Sequence, residues 1–428
     1  MLKHLLRSSG SGIKGDSWVA TLGGNSDNVG RSVAVAPDGS VYVCGYTNSV
    51  GAGKQDFLLA KFSNSGTVQW QRTLGGSGDD YGWSVAVASD GSVYVCGYTN
   101  STGAGNNDFL LAKFSSSGTV QWQRTLGGSG DDCGKSVAVA PDGSVYVCGY
   151  TNSAGAGEED LLLAKFSSSG TVQWQKTFGS QYGDEGRSVV VAPDGSVYVC
   201  GSTYGDSDLL FAKFSSSGTV QWQKALGRGD YKYEFGYSVA VAPDGSVYVC
   251  GTAAHDRDLF LAKFSSSGTV QWQKALDGSN LDKGHSVAVA PDGSVYVCGY
   301  TTPAGGGGYN FLLAKFSSSG TVQWQKILDS GRFDYGYSVA VASDGSVYFC
   351  GAAFSDRYLL LAKITDFLSE QDTVTFGKLT FQDASLTVYD VSLPITSSSS
   401  SVSNAGLTVS TPSLTVVTTS LITDLYTL

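Results

Sequence analysis

Residues 32–49 read SVAVAPDGSVYVCGYTNS, and close copies begin at Ser84, Ser136, Ser188, Ser238, Ser286 and Ser338. The starts are 52, 52, 52, 50, 48 and 52 residues apart. Around this phrase each unit supplies the wording of four strands. "SVAVA" alternates and ends at the turn "PDG" or "SDG", and "SVYVCG" follows. "DFLLAKF" is a continuous apolar run closed by "SSSG", and "TVQWQRTL" alternates before a glycine-rich loop. Four short strands per unit of this length, joined by tight turns, are the signature of a propeller blade. Side-chain bulk grows from Ala34 and Ala36, through Tyr42 and Cys44, to Phe57, Leu59 and Trp70. A sheet wedged towards an axis needs that gradient to stay close-packed.

Counting strands predicts how the ring closes. Trp18, Trp70, Trp122, Trp174, Trp222, Trp272 and Trp324 mark seven fourth strands, and the last third strand ends with Leu359 to Lys363. The chain therefore begins on a fourth strand, "DSWVATLGG", and finishes its last copy on a third. The expected fold is all-β: a seven-bladed propeller over residues 16–364 with three-plus-one closure. An arm (residues 1–15) precedes it and a small β-rich segment (365–428) follows it.

The stretch TLGGSGDDYGWSVAVASDGSVYVCGYT (Thr73–Thr99) resembles the seven-bladed β-propeller (SBBP-type) repeat of many bacterial and archaeal proteins, often secreted or surface-attached. The resemblance covers roughly residues 16–364 and implies a fold, but it brings no shared catalytic residues. The cysteine of "VYVCG" departs from the small Thr or Ala common there.

Composition narrows the function. Net charge is −10 with pI about 4.7, and only 15% of residues are charged, so neither nucleic acid nor an anionic membrane surface is an expected partner. No apolar run is long enough to span a bilayer, and "MLKHLLRSSGSG" lacks the apolar core of a signal peptide. Seven of eight cysteines (Cys44, Cys96, Cys148, Cys200, Cys250, Cys298, Cys350) share one repeat position; Cys133 stands apart. Equivalent atoms on neighbouring blades lie about 10 Å apart, too far for a disulfide, so free buried thiols are expected. Resemblance and composition place the protein outside the cell or on its surface; free thiols and the weak leader favour the cytoplasm.

In an antiparallel meander the "PDGS" and "SSSGT" turns share one face, while the second-to-third and blade-to-blade loops share the other. The first pair is nearly identical among copies and the second varies, so a specific partner, glycan or protein, is expected on the variable face. Two sets of residues stand out there. Four positions before each repeat serine sit Asn28, Asp80, Asp132, Asp184, Glu234, Asp282 and Asp334. They are expected to ring one channel mouth, either as hard oxygen ligands for a cation such as Ca²⁺ or as acceptors pinning their own loops. Immediately before each serine sit Arg31, Trp83, Lys135, Arg187, Tyr237, His285 and Tyr337, whose mixed chemistry suits ligand contact.

No G-x-S-x-G, H-E-x-x-H or phosphate loop is present, and no cofactor besides Ca²⁺ is suggested. Beyond Asp366 the chain is dense in Ser and Thr, with "LTF" at Leu379 and "LTV" at Leu386, Leu407 and Leu414. That pattern predicts two hairpin-like pairs separated by the serines of Ser397–Ser401. The pairs would lie on their own propeller or join copies into a homo-oligomer. The leading expectation is a non-enzymatic structural or adhesive module that self-assembles into fibres or a surface layer through residues 366–428. The alternative is a ligand- or cation-binding propeller using the acidic mouth.

Overall fold

The computed structural model describes residues 16–155, 158–204, 208–227, 234–253, 258–277, 281–302 and 308–365, and the backbone of eight short strands beyond them. The expected N-terminal arm lies outside the described residues. Blade 1 is a meander of Asn28–Val35, Val41–Thr47, Asp56–Phe62 and Val68–Gly75, and five more blades repeat it. Blade 7 takes Tyr335–Val341, Val347–Ala353 and Tyr358–Ile364 from one end of the ring and Trp18–Gly23 from the other. The closing ladder runs antiparallel from Trp18 opposite Lys363 to Gly23 opposite Tyr358, as the strand count requires. The chain is a seven-bladed propeller with no open blade at the join.

The face of near-identical turns is where blades fasten to one another. The Trp70 indole N–H and the Lys61 ammonium both donate to the Ser116 carbonyl in the serine turn of blade 2, at 3.1 and 3.3 Å. Gly118 of that turn has φ of +80°, and a Cβ there would sit 3.0 Å from the Trp70 ring. The same Trp-to-turn bond recurs from Trp122, Trp174, Trp222 and Trp272. Lys61 also lies over the Tyr42 ring, which meets Trp70 edge-on. These turns are alike because each has the same neighbour to hold.

Between blades the apolar residues form seven matching layers. Tyr42, Cys44, Phe57, Leu59 and Leu74 of blade 1 pack against Val85, Val93, Val95, Leu110, Ala112 and Phe114 of blade 2. Burying a Leu or Phe of this kind contributes roughly 2 kcal/mol. All eight cysteines are free and buried, and burial pushes the Cys44 thiol well up, so it behaves as a small hydrophobe.

The tail departs from the expected pair of hairpins. Among the described strands only Val374–Phe376 and Leu379–Asp383 form one, beside blade 6. Leu379–Asp383, Thr387–Asp390, Ile395–Ser397, Ser401–Asn404, Thr408–Ser410, Thr415–Thr418 and Ile422–Thr427 then add one antiparallel strand each to blades 6, 5, 4, 3, 2, 1 and 7. The serine run separates no hairpins: Ser397 ends the strand on blade 4 and Ser401 begins the one on blade 3. The segment runs backwards around the whole ring as a fifth strand. On blades 1 to 6 it pairs with the half of the fourth strand nearest the variable face, as in Thr415–Thr418 against Gly75–Arg72.

A cation–aromatic ring on seven β-bulges

Each innermost strand carries one irregularity. The register of blade 1 jumps between Gly30 and Ser32, and Arg31 is the extra residue; the same jump occurs in the other six blades. A bulge bends its strand and re-aims the side chain it inserts. Its cause is written opposite: a Cβ on Gly45 would lie 1.8 Å from the Val29 carbonyl, so only glycine admits this close approach. Arg31, Trp83, Lys135, Arg187, Tyr237, His285 and Tyr337 are the seven bulged residues. All of them line a single cavity of about 350 Å³ at the axis, together with the seven repeat serines.

Those serines close the ring beneath the cavity. Ser32 Oγ accepts the N–H of Val85 from the next blade at 3.2 Å, and the same bond runs around all seven blades, ending with Ser338 Oγ accepting from Val33. Above them the side chains meet in sequence. Arg31 lies between the Tyr337 and Trp83 rings, 4.0 and 4.8 Å from their centroids. The Lys135 ammonium also lies over the Trp83 ring, 4.1 Å from its centroid. Glu185 joins Lys135 (3.4 Å) to Arg187 (2.5 Å). Arg187 lies over Tyr237, which meets His285 at 5.0 Å, and His285 meets Tyr337 at 5.3 Å. Desolvation, with Arg31, Lys283 and Arg187 nearby, holds His285 down at about 3 and hence neutral. Three cations thus line the cavity in a chain that is acidic overall, while Glu185, Glu159 and Asp356 act on them from outside the lining. Arg31 Nε, Trp83 Nε1, Arg187 Nε and His285 Nε2 are buried there without a hydrogen-bond partner in the protein.

Aromatic contacts continue outward from this ring over the variable face. Tyr337 stacks with Tyr335 at 5.8 Å, Tyr335 meets Tyr309 at 5.5 Å, and Tyr309 meets the exposed Phe333 at 5.6 Å. On the other side Tyr46, Tyr81 and Tyr98 follow one another at 4.7 and 4.8 Å.

The acids expected at the channel mouth do not line it. Asn28, Asp80, Asp132, Asp184, Glu234, Asp282 and Asp334 are all fully or almost fully buried at the start of, or just before, their strands. Asp80 accepts the Gly76 N–H at 3.0 Å and the Ser101 hydroxyl at 2.7 Å, and Asp132 repeats this with Gly128 and Ser153. Asp334 accepts from the Ser330 N–H and hydroxyl and from the Phe354 N–H. The residues four back from each serine are absent from the cavity lining, which the bulged residue and the serine itself supply. Among the described residues no three His, Cys, Asp or Glu side chains gather as a metal site. Sequence reading passed over a second set: Asp56 accepts the N–H groups of Ala52 and Gly53, and Asp108 those of Ala104 and Gly105, pinning the second-to-third loops.

With fold and site in view, the comparisons agree on class. Residues 121–155 match the SBBP beta-propeller repeat, and residues 36–68, 88–120, 140–172 and 290–322 match a beta-propeller domain of unknown function, DUF5122. The chain is a seven-bladed β-propeller, and over those residues its repeats are similar to these propeller families. It is 30% identical over 230 residues to the regulatory protein FlaEY of Caulobacter vibrioides, across 45% of this chain but 24% of that protein, so it spans about a quarter of that relative's length. Similar solved structures include a puromycin hydrolase mutant (15% identity, TM-score 0.41, 76% of this chain and 50% of that one). Another is a gluconolactonase from Xanthomonas campestris (13% identity, TM-score 0.35, 67% of this chain and 90% of that one). Likeness at this level concerns the fold.

Proposed function

We propose that this propeller is a non-enzymatic binding module whose ligand sits in the mouth of the central channel on the variable face. One observation carries the reading: seven side chains of mixed chemistry, each on its own bulge, converge on one cavity. Its volume is at the small end of the range of ligand pockets. Cations, aromatic faces and unpartnered N–H groups suit an anion with several acceptor oxygens. Glu185 is held between two cations, and each repeat serine Oγ is engaged as acceptor for an N–H of the next blade, which supports a binding role.

Trp83 gives the test a reporter. Titrating the intact protein with acetate, phosphate, sulfate and benzoate should change its tryptophan emission saturably for at least one probe. The change should vanish in Trp83→Phe and need at least tenfold more ligand in Arg31→Gln. Emission that never saturates, or that responds identically in both variants, refutes the reading.

A structural or adhesive role through residues 366–428 is the second reading. What supports it is the nature of the attachment: each tail strand is held by a short backbone ladder to one blade edge, and such ladders form equally between copies.

A further inference from the structure

We infer that the ligand of this mouth is an anionic saccharide of two or three units. Its carboxylate or sulfate group would lie among Arg31, Lys135 and Arg187, and its following rings would lie on the path Tyr337, Tyr335, Tyr309 and Phe333. This deepens the binding-module reading and rests on it. Three features of the geometry select the class. The floor is made of donors: guanidinium and indole groups with unpartnered N–H atoms, beside the Lys135 ammonium and above a ring of serine hydroxyls. A ligand there must be rich in acceptors and negatively charged, because the lining presents Arg31, Lys135 and Arg187 and no carboxylate, the nearby Glu185, Glu159 and Asp356 standing outside it.

The aromatic path then leaves the cavity in one direction. Its steps are 5.8, 5.5 and 5.6 Å, and it rises from the half-buried Tyr337 to Phe333, which is 43% exposed. A small inorganic anion has no use for such a path. A hydroxylated ring presents a C–H face to an aromatic side chain and leaves its oxygens to polar neighbours, so it fits the whole track. The path ends beside Arg332, an exposed cation on the blade 6 to blade 7 loop, where a second acidic unit would find its partner. A peptide would also bring N–H donors, and this floor already has a surplus of them.

The test uses the intact protein with trigalacturonate, galacturonate, maltotriose, sulfate and benzoate, followed by calorimetry and tryptophan emission. Trigalacturonate should bind at least tenfold more tightly than galacturonate, and maltotriose should not bind. Phe333→Ala changes an exposed side chain, so the variant should fold. It should weaken trigalacturonate by about fivefold to tenfold, the scale of one aromatic contact, and leave galacturonate unchanged. Arg31→Gln should weaken both. If sulfate or benzoate saturates the mouth while trigalacturonate gains nothing over galacturonate, or Phe333→Ala has no effect, the saccharide is wrong and the binding site stands. If no probe binds, both readings fall.

Discussion

At the scale of single residues, the buried and the exposed aspartates oppose one another. Burial raises Asp334 to about 6, despite three hydrogen bonds donated to it. In the turns, Asp90, Asp142, Asp194, Asp244, Asp292 and Asp344 are lowered by the N–H of the serine two residues on. The native state holds the Asp334 proton more tightly than the unfolded chain does. Its contribution to stability is therefore fully present below pH 4 and is lost as pH rises through 6. The turn aspartates act the other way, and their contribution is lost as pH falls below their ordinary range. Denaturation midpoints taken between pH 4 and 7 should show Asp334→Asn removing a decline of about 2 kcal/mol over that window. A slope identical to the unmodified protein would show that Asp334 is not the group responsible. Blade 1 already carries the amide here: Asn28 accepts the Thr47 hydroxyl and donates to the Ser26 and Arg357 carbonyls.

At the scale of the element, the bulge unites fold and site. The innermost strand must bend towards the axis, and the inserted residue both bends it and supplies a channel side chain. The glycine across the ladder is the price of that approach. In blade 3, a Cβ at Gly149 would lie 1.8 Å from the Cys133 carbonyl, whereas Gly195, in a turn with φ of +81°, has open space around it. Gly149→Ala should cost about 3 kcal/mol or more, because backbone must move. Gly195→Ala should cost about 1–2 kcal/mol, from left-handed backbone strain alone. Urea midpoints compare the two, and equal losses would mean that the bulge tolerates displacement. A lost bulge would also turn Lys135 away from the cavity, so Gly149→Ala should weaken ligand as well as fold.

At the scale of the molecule, the seven outer strands would be exposed sheet edges without the tail, each a template for another chain. Paired with one tail strand apiece, six are covered in the half nearest the variable face and the seventh, Trp18–Gly23, along its whole length. Deleting residues 366–428 should leave a folded ring, since the closing ladder of Trp18–Gly23 with Tyr358–Ile364 is independent of them. Two outcomes separate the roles of the tail. If it guards its own ring, the truncated protein melts lower and associates more strongly on gel filtration. If it joins copies, the truncated protein becomes a monomer where the full chain forms assemblies.

How much of this was legible in the sequence differs by level. Blade number, closure and the variable face followed from the repeat, because a blade's pattern is local and a ring of wedges has one way to close. The seven channel residues could be singled out as the varying position of Gly-x-Ser, and a glycine interrupting a strand is a signal of a bulge. The acids beside them could not be placed by counting, since the bulge rotates the strand between the two positions and sends only one of them to the axis. In the tail the phrases at Leu379, Leu386, Leu407 and Leu414 are 7, 21 and 7 residues apart, all multiples of seven. That spacing carried the step from one blade to the next, yet short alternating strands look alike whether they pair with each other or with a distant edge. The sequence by itself determined a seven-bladed ring and the face that varies. Only tertiary structure decided which side chains meet at the axis and which edges the last sixty residues cover, because both depend on partners far away along the chain.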